Sequence, residues 1–282
     1  MQHKFKYIVF SFLLLYLLFC QSCMTMRMTV KETSTYFDTL KIPFVSKIVN
    51  VGSHEIHYIQ TGKPNLPTLF FVHGSPGSWD AYKSYLSDTL LLKKYRMIAI
   101  DRPGFGNSNF GTAEDLGTQA QIIEDFITQI DNHQPIVLIG HSLGGPVIVK
   151  MATDHPALFP NLVVLSGAID PKAETPELWR RLLLSKPLRY LIPGALRPSN
   201  DELWWLKKDL YAMEPNLKNI TSKVTIIHGT KDQLVPYKNM AYINKMLVNA
   251  KSIESISIEN ANHFIPWEHF ELIRNTLLHL AI

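Results

Sequence analysis

The stretch Pro135-Ile136-Val137-Leu138-Ile139-Gly140-His141-Ser142-Leu143-Gly144-Gly145-Pro146 decides how the rest of the chain is read. Its first five residues are a short apolar run bounded by Pro and Gly, which reads as a fully buried strand. Residues 146–152 read as the first turns of an apolar helix. Between them stands Ser142, with one glycine two residues before and another two residues after. This is the G-x-S-x-G pattern of a sharp strand-to-helix turn. Such a turn requires the glycines, because a Cβ at Gly140 or Gly144 would meet the neighbouring strand and helix. It also strains the serine backbone and lifts the hydroxyl to the carboxyl edge of a sheet. A helix begins there, and its free N–H groups can meet developing negative charge.

Working outward, apolar runs at 68–72, 95–100, 162–165 and 224–227, and the segment 253–258 with Ile at alternate positions, read as further strands. Strands 46–51 and 55–60 flank the turn Gly52-Ser53 and form an antiparallel hairpin. Helical spacing predicts helices over 79–92, 114–130, from the turn to about 155, over 237–248 and over 267–280. Strands alternating with helices predict an α/β fold, a mostly parallel sheet covered on both faces. Residues 168–221 break the rhythm. They are rich in Pro, Trp and Arg, offer helical segments at 177–184 and 202–211, and contain no convincing strand. An insertion here sits above the carboxyl ends of the strands, where open α/β sheets bind ligands. It is expected to be a small helical cap on a domain spanning 46–282.

A serine hydroxyl is a weak nucleophile at neutral pH. It needs a histidine to take its proton and a carboxylate to orient that histidine. Asp232 follows the 224–227 strand and His263 follows the 253–258 strand, so both occupy loops at strand ends. With Ser142 they open at one edge of a parallel sheet and can converge. A developing oxyanion needs two N–H donors. Leu143 supplies one directly after the serine. Ser75, in the loop His73-Gly74-Ser75-Pro76-Gly77, is the candidate for the other. Asp101 rivals Asp232, with Asp125, Asp154 and Asp170 less well placed. His228 and His269 rival His263. His73 is read as a brace for the oxyanion loop and His141 as a packing residue. His54 and His57 have odd spacing in one strand, so they face opposite sides and cannot share a metal. Gly104-Phe105-Gly106 lacks the context of a dinucleotide loop. No cofactor and no metal is expected.

These residues resemble the α/β-hydrolase fold superfamily from about Ser46 to the end, outside the cap. The landmarks are the first loop at His73–Gly77, Asp101-Arg102-Pro103-Gly104-Phe105-Gly106-Asn107-Ser108, the Gly140–Gly145 turn, Asp232 and His263. The resemblance implies a cofactor-free serine hydrolase with a Ser-His-Asp triad. Dehalogenase and epoxide-hydrolase branches look similar but place Asp where this chain has Ser142. The expected substrate is a carboxylic ester with an apolar acyl part. Amide, lactone or carbon–carbon hydrolysis, or acyl transfer, would use the same residues. A ligand-binding lipoprotein without catalysis and an interaction protein with the turn as scaffold are the alternatives of other classes.

The N-terminus predicts the location. His3, Lys4 and Lys6 precede an apolar run over 7–19, shorter than the ~20 residues of a spanning helix, so a signal peptide over 1–23 is the expectation. Cys20 and Cys23 are the two cysteines of the chain, and each resembles in part the acylated cysteine of a bacterial lipoprotein. Cys23 follows the small Ser22, whereas Cys20 follows the bulky Phe19. An uncleaved anchor is the alternative. Either way the domain is expected outside the cytoplasm, held at a membrane by lipid or anchor, or secreted. Residues 24–45 are polar and aperiodic and read as a tether. Removing Lys4 and Lys6 from 28 basic residues leaves 26 against 24 acidic ones, a net charge of +2. That balance gives no reason to expect nucleic acid as a partner. The cap's Trp179, Trp204 and Trp205 are read as packing, and its arginines and lysines as a solvated face.

Overall fold

The computed structural model describes residues 2–280. Met1 of the expected signal segment and residues 281–282 of the expected domain lie outside the described residues. Strands β1 (Phe44–Val51) and β2 (His54–Thr61) form an antiparallel hairpin closed at Val51 and His54. Then follow β3 (Thr68–Val72), β4 (Arg96–Ile100), β5 (Ile136–His141), β6 (Asn161–Leu165), β7 (Lys223–Gly229) and β8 (Ser252–Ile258). They form one sheet in the order β1-β2-β4-β3-β5-β6-β7-β8. β2 pairs antiparallel to β4, and every pair from β4 to β8 is parallel. The carboxyl ends of β3 to β8 therefore share one edge.

The helices in chain order are α1 (Gln2–Ser22), α2 (Val30–Leu40), α3 (Lys83–Leu86), α4 (Thr89–Lys94), α5 (Leu116–Ile130) and α6 (Gly144–Asp154). After these come α7 (Trp179–Leu182), α8 (Leu196–Met213), α9 (Lys238–Met246), α10 (Ile265–Glu268) and α11 (Phe270–Leu278). Alternate residues of the central strands face opposite sides. Phe70, Ile98, Leu138 and Val164 join the core beneath α5, α6, α8 and α9. Leu69, Phe71, Met97, Ile139 and Val163 join a second core with Trp79, Tyr82, Leu86, Leu91 and Ile273. Both faces are covered, which explains why the central strands read as unbroken apolar runs.

Three helical expectations change. Residues 79–92 are not one helix but a 3-10 turn (Trp79–Tyr82) followed by α3 and α4. Asp88 starts α4 afresh, its Oδ1 accepting from Leu90 N and Leu91 N, each at 2.9 Å. The closing helix splits at His269 into α10 and α11. In the cap, α8 begins six residues earlier than the 202–211 helix, because Pro198 sits in its first turn, where an N–H is not needed.

The stretch expected as a tether is also corrected. It holds α2, closed by a capping box in which Thr29 Oγ1 accepts from Glu32 N and the Glu32 carboxylate accepts from Thr29 N. The Phe37 side chain is fully buried and stacks on Phe44 and Trp79, at 4.7 and 6.0 Å between ring centroids.

α1 extends beyond the apolar run at both ends. Its window Lys4–Gln21 is long and apolar enough, by length and composition, to cross a membrane, a test that a signal sequence also passes. Its last turns meet the cap. The Tyr16 hydroxyl donates to Leu191 O at 2.8 Å, and Gly194 N donates to Cys20 O at 2.9 Å. Cys20 is buried, with Sγ 3.3 Å from Leu191 O.

Candidate active site

Ser142 follows β5 and stands just before α6, with φ +54. A left-handed backbone at a serine is strained, and such strain persists only when its surroundings enforce it. Here they do. A Cβ on Gly144 would lie 2.2 Å from Val72 O, and one on Gly140 would lie 2.3 Å from Gly144 O. The strand, turn and helix are thus packed backbone to backbone. Leu143 caps the amino end of α6, where N–H groups have no partner within the helix.

Asp232 and His263 meet. His263 Nδ1 lies 2.7 Å from Asp232 Oδ2, and both side chains are buried. The other carboxylate oxygen accepts from Leu234 N at 2.9 Å and Val235 N at 2.8 Å, which fixes its direction. Burial draws the Asp232 carboxyl upward, but hydrogen bonds from His228 and His263 and the charge of His263 outweigh it and hold the group well below the usual range. A carboxylate on Nδ1 assigns the proton of a neutral ring to that nitrogen and leaves Nε2 as the base. His228, fully buried, is bonded to Val235 O at 2.9 Å and lies 3.4 Å from the same Asp232 Oδ2, so it steadies the acid from behind.

His141 has a role that its position in the turn did not announce. Its Nε2 donates to His263 O at 3.0 Å, and its ring lies 4.7 Å from the His263 ring. Burial, reinforced by the charge of His263, lowers its pKa to about 3, so the ring stays neutral and keeps that bond. The signal available in the sequence was position alone: the residue before the turn serine ends β5 beside the loop of β8.

The first loop is braced from beneath. His73 Nδ1 donates to Gly74 O at 2.7 Å, and its Nε2 accepts from Arg102 N at 3.0 Å. Burial and the neighbouring Arg102 charge push its pKa well down. Arg102, fully buried, donates to His73 O and Gly74 O, both at 2.9 Å, and grips both oxygens of Glu202 in α8 at 2.7 and 2.9 Å. A Cβ on Gly74 would lie 2.9 Å from Ser142 Cβ, so this loop passes against the serine. Ser75 joins it to the cap, its Oγ donating to Ser199 Oγ at 2.8 Å. Asp101, the rival acid, is used elsewhere: it accepts from Trp79 N at 2.7 Å and pairs with His57 at 2.8 Å.

Ser142, His263, Leu143 and Ser75 line one cavity of about 1040 Å³. Leu203 and Leu206 of α8, Leu234, Phe264 and Trp267 supply its apolar wall. Trp179, Trp204 and Trp205 are not in that wall, and Trp179, expected to pack, is instead half exposed. The expected solvated basic face is only partly so. Arg197 is buried and donates to Gln21 Oε1 at 2.8 Å, and Arg189 pairs with Asp201 at 2.7 Å. A smaller cleft of about 740 Å³ lies at the opposite edge, beside Asn161 and Ser252, where the parallel strands begin.

A family model described as alpha/beta hydrolase fold matches residues 67–192. The chain is 31% identical over 152 residues to a 1-acylglycerol-3-phosphate O-acyltransferase of Arabidopsis thaliana, a match covering 46% of this chain and 36% of that one. It is 26% identical over 125 residues to epoxide hydrolase 1 of Caenorhabditis elegans, covering 42% of this chain and 29% of that one. The chain thus spans about a third of the length of these curated relatives. Among solved structures, a bacterial membrane phospholipase A superposes with a TM-score of 0.63 at 20% identity, over 89% of this chain and 91% of that one. That likeness is one of fold.

Proposed function

We propose that this chain, which belongs to the α/β-hydrolase fold superfamily, is a serine hydrolase that cleaves a carboxylic ester with an apolar acyl part. The observation that carries the reading is a strained serine, Ser142, opening into the same cavity as a histidine held by a buried carboxylate. Ser142 Oγ attacks the ester carbonyl while His263 Nε2 takes its proton. Asp232 stabilises the imidazolium through Nδ1. The N–H groups of Leu143 and Ser75 hold the tetrahedral oxyanion. When the intermediate collapses, the carbon–oxygen bond to the alcohol breaks and His263 returns the proton to the departing oxygen. Water then attacks the acyl-enzyme with His263 again as base. The acid leaves and Ser142 regains its proton.

The apolar wall supports an apolar acyl part, and the volume is that of a pocket for a molecule of moderate size. Opening an epoxide through a covalent ester requires a carboxylate nucleophile, and the residue here is a serine. If an alcohol replaces water in the second half, the same acyl-enzyme gives acyl transfer. The similarity to a relative named as an acyltransferase keeps that outcome in view. The membrane-crossing length of α1 supports a site of action at a membrane, and Lys4 and Lys6 ahead of its apolar run favour a domain outside the cytoplasm.

Labelling with a fluorophosphonate probe, followed by a panel of esters, amides and β-diketones, tests the reading. The probe should mark Ser142, and Ser142→Ala should abolish both labelling and ester turnover. Turnover retained by Ser142→Ala, or no labelling of the parent, overturns it.

A further inference from the structure

The cap carries a surface for which ester hydrolysis has no use. Leu178, Trp179 and Leu182 are 80%, 49% and 66% exposed, and nearby Leu188 and Tyr190 are 40% and 39% exposed. Soluble surfaces carry large apolar side chains singly, not gathered in so short a segment. Basic groups are interspersed. Arg181 and Lys186 are exposed and form no ion pair among the described residues, whereas Arg180 pairs with Glu177 at 2.7 Å. Arg180 lies over the Trp179 ring, 4.7 Å from its centroid. Leucine and tryptophan edged by arginine and lysine suit the headgroup layer of an anionic bilayer.

The docking of α1 sets the depth of this surface. Only 6% of the apolar window Lys4–Gln21 is buried, so most of the helix stands clear of the domain. The contact is made by the last turns: Tyr16 with Leu191, Gln21 with Tyr190, and Cys20 with Gly194. At a rise of ~1.5 Å per residue, Tyr16 and Gln21 are only about 7.5 Å apart along the axis. A bilayer that takes up the window therefore meets the 3-10 turn Leu188–Leu191 within about 10 Å of its boundary, at headgroup depth. Leu178, Trp179 and Leu182 stand a few residues ahead of that turn in the chain. The cavity is close by, because Met26, Glu177 and Arg180 contribute to its lining.

We infer that the face of the cap bearing Leu178, Trp179, Leu182, Leu188 and Tyr190 docks on a bilayer with anionic headgroups, and that the cavity takes its acyl ester from that bilayer. The second clause rests on the ester-hydrolase reading, whereas the docking does not.

The test uses the full chain in vesicles of phosphatidylcholine, with and without phosphatidylglycerol, carrying acyl chains brominated close to the headgroup. The emission that is lost in Trp179→Phe should be quenched about two-fold in the mixed vesicles and less in phosphatidylcholine alone. Quenching that is absent, or equal in the two compositions, overturns docking on anionic lipid. In Leu178→Ser/Leu182→Ser, turnover of an acyl ester embedded in the mixed vesicles should fall about ten-fold, with a soluble short-chain ester held within about two-fold. Equal loss on both substrates, or no loss on either, overturns delivery from the bilayer. Ser142→Ala separates the two readings. It should keep the quenching and lose both turnovers, and persistent turnover removes the ester reading while the quenching still judges the docking.

Discussion

His263 Nδ1 and Asp232 Oδ2 stand 2.7 Å apart in a buried contact, and this bond sets which ring nitrogen is free to act as a base. In Asp232→Asn the amide can donate to Nδ1, which moves the ring proton to Nε2. We predict a fall in kcat of about 10³–10⁴ on a short-chain ester, with KM little changed, because substrate does not touch the acid. Steady-state kinetics of the variant read both constants. Turnover within a few-fold of the parent would remove Asp232 from the proposed mechanism.

Arg102 and Glu202 join the first loop to the cap through a fully buried, two-pronged ion pair. Replacing Glu202 leaves Arg102 charged in the interior without a counter-charge. Glu202→Leu should destabilise the protein by about 3–5 kcal/mol, read as a drop in the urea midpoint. Because Arg102 also holds His73 O and Gly74 O, kcat on the soluble ester should fall even where the variant is folded.

Phe37 distinguishes a packed α2 from a loose leader. Phe37→Ala should cost about 3–5 kcal/mol in urea unfolding, since the ring is fully buried against Phe44 and Trp79. A midpoint equal to that of the parent would mean that α2 adds nothing to the fold.

Glu124 gives a stability that depends on pH. Burial, with the Asp154 charge adding to it, pushes its carboxyl from the ordinary 4.5 up to about 7, while His155 Nε2 lies 3.3 Å from it. The folded chain thus keeps a proton that the unfolded chain releases. The contribution is complete below 4.5 and is lost as the pH rises through about 7. Glu124→Gln removes the titration. Its stability relative to the parent, read from Tm, should therefore rise between about pH 5 and about pH 8, by a margin on the order of 1 kcal/mol after screening. A difference in Tm that does not change with pH would contradict this.

The central sheet was legible because β3 to β6 are buried on both faces, and burial on both faces writes itself as unbroken apolar residues. β7 was found for the same reason, whereas β8, largely exposed, showed itself through isoleucines at alternate positions. Ser142 declared itself through the glycines that its turn requires. α2 did not, since Thr33 and Phe37 alone are buried and two residues make no period. Its signal was the capping box of Thr29 and Glu32, a local pattern that apolar spacing does not weigh. Arg102, Glu202 and His141 were invisible as partners because their contacts span from 28 to 122 positions of sequence. The start of the cap was equally hidden. Asn239, fully buried, accepts from Ile169 N and Asp170 N at 2.8 and 2.7 Å and pins the chain as it leaves the sheet.

The junction of α1 and the cap has a consequence for maturation. Cys20 O and Gln21 Oε1 both accept from Arg197, and Cys20 itself is enclosed. An acyl group on Cys20 has no room while that junction holds. A peptidase cut ahead of Cys23 would take away those acceptors together with the Tyr16 strut. If residues 1–23 are a leader, its removal would therefore also release the contacts that tie α1 to the cap beside the cavity.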